Sequence, residues 1–217
     1  IKSTTNTRKS AQLDFENPIF LFNYANILKQ TKQHTESLYY YKKCTLIDKK
    51  YYAAFIEMAT IYISLEYYDL ALDAYKQAYV TIKKHLTNKK NKSNYQKVQK
   101  YKNINSLILK LLIKKKDLTG AIDYFNTHYT DSYTTPEFSG LGGYLFYLAN
   151  DYKKSYILLN NFYSKSKNPL YAKLYADMLV QIENKDSIIK KLSMLLSIKQ
   201  LSSTDRTHIL SLLAEYK

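Results

Sequence analysis

The chain repeats itself at a fixed interval. Glu36-Ser37-Leu38-Tyr39-Tyr40-Tyr41-Lys42-Lys43-Cys44 aligns with Leu70-Ala71-Leu72-Asp73-Ala74-Tyr75-Lys76-Gln77-Ala78, so Ser37 and Ala71 stand 34 residues apart, as do Tyr41 and Tyr75. Ala121 and Ser155 keep the interval of 34, and so do Phe125 and Leu159. From Ala71 to Ala121 is 50 residues, one interval with an insertion of 16. A period of this size implies a stack of like supersecondary units, none of which can bury its apolar face alone.

The units read as helical. Phe55, Met58, Ala59 and Tyr62 recur at three and four residues, one face of an α-helix. Two antiparallel helices approach closely only where a side chain is small. Ala25 and Ala59 are therefore expected to receive second helices at Ser37 and Ala71, with aromatics filling the grooves between units. Pro18, Pro136 and Pro169 sit at unit boundaries, where each starts a helix or ends the one before. Thr204 and Asp205 are expected to cap a last helix that carries Ile209, Leu210, Leu212 and Leu213.

Composition narrows the alternatives. Four Gly and three Pro in 217 residues exclude a collagen-like or turn-dense all-β chain. One Cys excludes a disulfide framework and a cysteine-built zinc site. No apolar run approaches the roughly 18–20 residues of a membrane span. The sequence begins at Ile1 with no visible signal peptide, as expected of a processed product or a fragment, soluble and either cytoplasmic or exported or organellar after processing.

The pattern resembles the tetratricopeptide repeat, a helix–turn–helix of 34 residues. Phe55, Met58, Ala59, Tyr62, Ala71, Tyr75 and Ala78 match its spacing, as do Leu21, Tyr24, Ala25, Leu28, Ser37, Tyr41 and Cys44. Gly142, Gly143, Phe146, Ser155, Leu159 and Phe162 follow it. Ile108, Leu112, Ala121 and Phe125 match in part, with Leu109 where a small residue is expected. A fifth unit carries Tyr175 and Ala176, with Ser187 arriving early after a short turn. The resemblance implies an all-α fold, a right-handed α-solenoid of about five repeats with a C-terminal capping helix. The expected organisation is a flexible polar arm over 1–16 and an array over 17–203. Its units lie near 18–51, 52–85, 102–135, 136–168 and 169–202, with a Lys-rich insertion at 86–101 and a cap at 204–217. In the insertion, Ser93 is a possible N-cap for a first helix lengthened by two to three turns.

The resemblance also implies a groove along the first helices that takes a partner's peptide. Its positions here are Asn23, Asn26, Glu57, Thr60, Lys110, Tyr144 and Tyr147. Some relatives clamp a chaperone's C-terminal carboxylate. Asn26 fits one clamp position, but Phe22 stands where Lys is needed and Glu57 would repel a carboxylate. The expected partner is therefore a protein segment or a subunit of a complex, but not a tail of that kind.

Charge offers a second reading. The net charge is +15, and twelve Lys with no Asp or Glu fall between Lys83 and Lys116. The basic patch comprises Lys83, Lys84, Lys89, Lys90, Lys92, Lys97, Lys100 and Lys102. It could dock an acidic protein surface, or bind nucleic acid or an anionic membrane. Arg, the preferred reader of phosphate and bases, occurs twice against 31 Lys. Lys, Asn, Ile and Tyr are all abundant, as AT-rich coding also produces.

No chemistry is legible. His34, in an interhelix turn, and His85, His128 and His208 form no metal-spaced pair. Cys44 occupies a small packing position rather than a nucleophile's. Ser139-Gly140-Leu141-Gly142-Gly143 lacks the preceding strand of a phosphate-binding loop, and Gly143 falls at the small-residue position. The reading is therefore a non-catalytic scaffold without cofactor or metal.

Overall fold

The backbone repeats with the sequence. A computed structural model describes residues 17–86, 94–129 and 135–216. Among them are eleven α-helices and no strand. They are α1 Pro18–Gln30, α2 His34–Ile47, α3 Tyr52–Ser64, α4 Tyr68–Leu86, α5 Asn94–Lys114, α6 Leu118–His128, α7 Pro136–Leu148, α8 Tyr152–Lys165, α9 Ala172–Ile182, α10 Lys185–Leu196 and α11 Ser203–Tyr216. Odd-numbered helices up to α9 are the first helices of the repeat, and even-numbered ones the second. The arm at 1–16, residues 87–93 of the insertion and Ser93 with them lie outside the described residues. α5 spans 21 residues, against 13 in α1, α3 and α7.

Each of the first four first helices stops in the same way. Lys32, Glu66, Lys116 and Asn150 hold left-handed backbone at φ 61°, 62°, 61° and 60°. Their separations are 34, 50 and 34 residues, the intervals read from the sequence. At each stop the following N–H reaches back to the helix: Gln33 to Leu28 O, Tyr67 to Tyr62 O, Asp117 to Leu112 O and Asp151 to Phe146 O. The left-handed residue's own N–H bonds a carbonyl three residues back. This pair of bonds is the Schellman stop, which satisfies carbonyls otherwise orphaned at a helix end. The fifth turn is shorter: α9 ends at Ile182 and Asn184 already caps α10, its Oδ1 accepting from Ser187 N–H at 2.9 Å.

Starts are equally local. Asn17, Asp117, Thr135 and Asp151 each accept an N–H from the first turn of the helix that follows. Three expectations are corrected. α9 starts at Ala172, because Pro169 lies before it and only its carbonyl takes part, accepting from Ala172 N–H. The last helix is capped by Ser202, whose Oγ accepts from Asp205 N–H at 3.0 Å, so Thr204 and Asp205 lie inside its first turn. His34 is the first residue of α2, not a turn residue.

The helices form two compact units that part between Leu111 and Leu112. In the first, α1 packs on α2, α2 on α3 and α3 on α4. In the second, α6 packs on α7 and α7 on α8, while α9 touches α8, α10 and α11, and α10 packs on α11. Small residues stand where helices come closest: Ala25, Ser37, Ala59, Ala71, Ala121 and Ser155 are fully buried. Ser37 Oγ donates to Ala25 O, and Ser155 Oγ to Gly143 O, both at 2.8 Å. The aromatics Tyr41, Tyr75, Phe125 and Phe162 fill the space beside them. Each such buried side chain contributes about 1.5–3 kcal/mol by leaving water.

α11 closes the second unit. Ile209 and Leu213 bury against a cluster that includes Leu192 and Leu195, while Leu210 stays half exposed. Arg206 donates to Leu196 O at 2.9 Å and Ile198 O at 3.1 Å, satisfying carbonyls at the end of α10.

Candidate functional site

In the second unit the first helices α7 and α9 and the closing helix α11 leave an open cavity of about 380 Å³. Tyr147 projects into it from the last turn of α7, and Asp177, Met178 and Gln181 from α9. Leu212 of α11 adds an apolar wall. Tyr147 is 37% exposed, with its ring tilted on Tyr152 at 5.8 Å between centroids. Asp177 is held from across the cavity wall: His208 Nε2 of α11 lies 2.6 Å from its Oδ1. An aromatic rim, a fixed carboxylate, a side-chain amide and apolar walls thus share one concave surface.

The other expected groove positions are distributed as follows. Tyr144 is half-buried and stacks on Tyr171 at 5.8 Å, so it does not line the cavity. In the first unit Asn23 and Thr60 are exposed on α1 and α3. Asn26 Oδ1 accepts from Tyr41 Oη at 2.6 Å. Burial, and then the nearby Glu57, push the Tyr41 hydroxyl well above its ordinary range. Glu57 itself is ion-paired with Lys29 of α1, and its backbone carbonyl accepts from Thr60 Oγ1 at 2.7 Å. The repulsion expected of the Glu57 carboxylate is therefore already countered. Lys110 is exposed on α5.

Of the basic patch, Lys83 and Lys84 are exposed near the end of α4, with Lys83 Nζ 5.9 Å from the Tyr79 ring centroid. Lys89, Lys90 and Lys92 lie outside the described residues, and Lys97, Lys100 and Lys102 fall on α5.

No family model matches the sequence, and no curated protein does. Solved structures do. YrrB, described as a TPR protein with an unusual peptide-binding site, superposes with a TM-score of 0.57 at 15% identity, covering 94% of this chain and 95% of its own. PilF of Pseudomonas aeruginosa gives 0.62 at 12% identity, over 97% and 88%. PilW, a type IV pilus biogenesis factor, gives 0.58 at 15%, over 92% and 90%. This chain has the tetratricopeptide repeat fold.

Several sequence features are absorbed by tetratricopeptide packing. Cys44 is fully buried and its Sγ donates to Pro18 O at 3.2 Å. Burial, then Asp48, raise its thiol to about 11, the opposite of an activated nucleophile. A Cβ on Gly143 would lie 2.6 Å from Leu159 Cγ, and one on Gly142 inside contact distance of the Phe125 ring. These glycines therefore serve helix approach. Among the described residues no three His, Cys, Asp or Glu side chains gather as a metal site, and no helix is long and apolar enough to cross a membrane.

Sequence reasoning missed Lys29, Asp177, Gln181 and His208. Gln181 was within reach, since it stands 34 residues after Tyr147 and shares its cavity. The Asp177–His208 pair was not, because α11 lies beyond the last full repeat.

Proposed function

We propose that this protein is a non-catalytic interaction scaffold that seats a partner protein's peptide segment on its first-helix face, around Tyr147, Asp177 and Gln181. The observation that carries the reading is the cavity between α7, α9 and α11, where these groups converge on an apolar wall. Tyr gives large contact area with a polar tip at little entropic cost. Asp177 can accept a backbone N–H, and the Gln181 amide can both donate and accept, which suits an extended chain. YrrB's description as a protein with a peptide-binding site supports the same use of the fold. Within the first unit, Asn23, Asn26, Thr60 and Lys110 supply exposed or half-exposed polar groups on that unit's own first helices. The protein acts as a subunit of a larger assembly, with the lysine-rich segment docking an acidic surface of it.

The test is affinity capture from the native source, with nuclease treatment in parallel. Tyr147→Ala and Gln181→Ala are expected to release a protein that the parent retains after nuclease. A second reading, nucleic-acid or anionic-membrane binding through Lys83–Lys116, rests on the twelve lysines there. It wins if nuclease removes all captured material, or if neutralising those lysines rather than changing Tyr147 abolishes capture.

A further inference from the structure

The second unit carries another concavity, built from the opposite members of the hairpins. Two adjoining cavities of about 370 Å³ each run between the second helices α8 and α10. They share Tyr163, Ser164 and Met194, and so form one groove. Its floor is apolar: Tyr163 and Tyr175 stack at 4.9 Å between centroids, Ile198 is buried, and Met194 is 40% exposed. The floor is also fixed. Tyr175 Oη donates to Asn160 Oδ1 at 2.6 Å, and Tyr163 Oη to Leu170 O.

The lining residues carry positive charge only: Lys165, Lys167, Lys190 and Lys191. Of the carboxylates nearby, Glu183 is paired with Lys191, and Asp205 acts on the Tyr163 hydroxyl without lining the groove. Lys191 is committed, donating to Glu183 Oε1 at 2.6 Å and Tyr156 Oη at 2.7 Å. Lys165, Lys167 and Lys190 are exposed and make no salt bridge among the described residues.

We propose that this groove docks an acidic peptide segment carrying an apolar anchor residue. It is a second site, independent of the first-helix face around Tyr147. The anchor seats on Tyr163, Tyr175 and Met194, while carboxylates of the segment meet Lys165, Lys167 and Lys190. Charge complementarity selects this occupant. A second copy of the chain brings +15 against the same lysines, and residues 1–16 carry Lys2, Arg8 and Lys9 against Asp14 and Glu16. An apolar floor with no Arg at its rim is a poor cradle for phosphates.

The experiment is fluorescence anisotropy of the full chain with a labelled decapeptide of Glu and Asp around a central Leu-Phe pair. Saturable binding is expected, weakening with salt. Replacing Leu-Phe by Ser-Ser, or the acids by Lys, is expected to weaken it at least about tenfold. The double variants Lys165→Gln/Lys190→Gln and Lys165→Glu/Lys190→Glu are expected to weaken it about threefold and more than about tenfold, with unchanged thermal melts, since both side chains are exposed. Tyr147→Ala is expected to leave it unaltered. The proposal is overturned if the Ser-Ser or Lys peptide binds equally well, or if Tyr147→Ala rather than the lysine changes abolishes binding. It is also overturned if a single-stranded oligonucleotide displaces the peptide at equal concentration, or if sedimentation shows a second copy filling the groove.

Discussion

Ser155 donates its hydroxyl to the carbonyl of Gly143 at 2.8 Å, at the point where α8 lies closest to α7. Ser37 and Ala25 make the same bond in the first repeat. The first repeat has room for the Ala25 Cβ at this point, but position 143 does not: a Cβ there would meet Leu159 Cγ at 2.6 Å and Ser155 O at 3.3 Å. Leu159 is fully buried and its branch point has nowhere to go. Gly143→Ala should gain about 1 kcal/mol in helix propensity and lose about 1–3 kcal/mol to overpacking. The expected outcome in urea unfolding is a net loss, the reverse of the usual effect in a helix interior. Ser155→Ala should cost about 1 kcal/mol.

Lys32, Glu66 and Lys116 are exposed and hold backbone that favours glycine. A non-glycine residue there costs about 1 kcal/mol. Lys32→Gly, Glu66→Gly and Lys116→Gly are each expected to raise stability by roughly 0.5–1 kcal/mol, after the entropy that glycine adds to the unfolded chain. Asn150→Gly should gain less, since Asn tolerates this conformation. Denaturant midpoints of the four variants check the ordering.

These two cases mark what could be read in advance. The small residues at 25, 37, 59, 71 and 143 were legible because close helix approach constrains size at Cβ, and size is written in residue identity. The left-handed stops at Lys32 and Glu66 were not, because neither residue carries a signal for that conformation and the bonds are all backbone. The last N-cap was misplaced because Ser202, Ser203, Thr204 and Asp205 are all competent caps, and only backbone geometry chooses Ser202. Of the cavity, register points to Tyr147, while His208, which holds Asp177, lies on a helix beyond the last full repeat.

Alkaline pH should unfold this protein through its buried acids. The Cys44 thiol is raised from 9.0 to about 11 by burial and Asp48. Its ionised form is therefore favoured in the unfolded chain, and the stabilisation present below pH 9.0 is lost as pH rises toward 11. Burial also raises the hydroxyls of Tyr41, Tyr163 and Tyr175, adding to the loss above their ordinary 10.0. Urea midpoints should be flat just below pH 9 and fall across this window. Cys44→Ala, which restores the residue found at Ala78, should make the fall shallower.

Arg206 ties α11 to the end of α10 through two carbonyls. Arg206→Ala should cost about 1–2 kcal/mol, given the partial exposure of these charged bonds. Native-state hydrogen exchange should show faster opening of α11 than of α7 or α8. Equal protection in both proteins would remove Arg206 from the account.

The first-helix face is tested most directly by placing a photoreactive benzoylphenylalanine at Gln181, in the cavity, and at Leu70, exposed on the second helix α4. Each variant is irradiated in extract from the native source. One protein adduct is expected at Gln181, lost with Tyr147→Ala, and none at Leu70. No adduct at Gln181, equal labelling at both positions, or a nucleic-acid adduct alone would contradict a peptide site on this face.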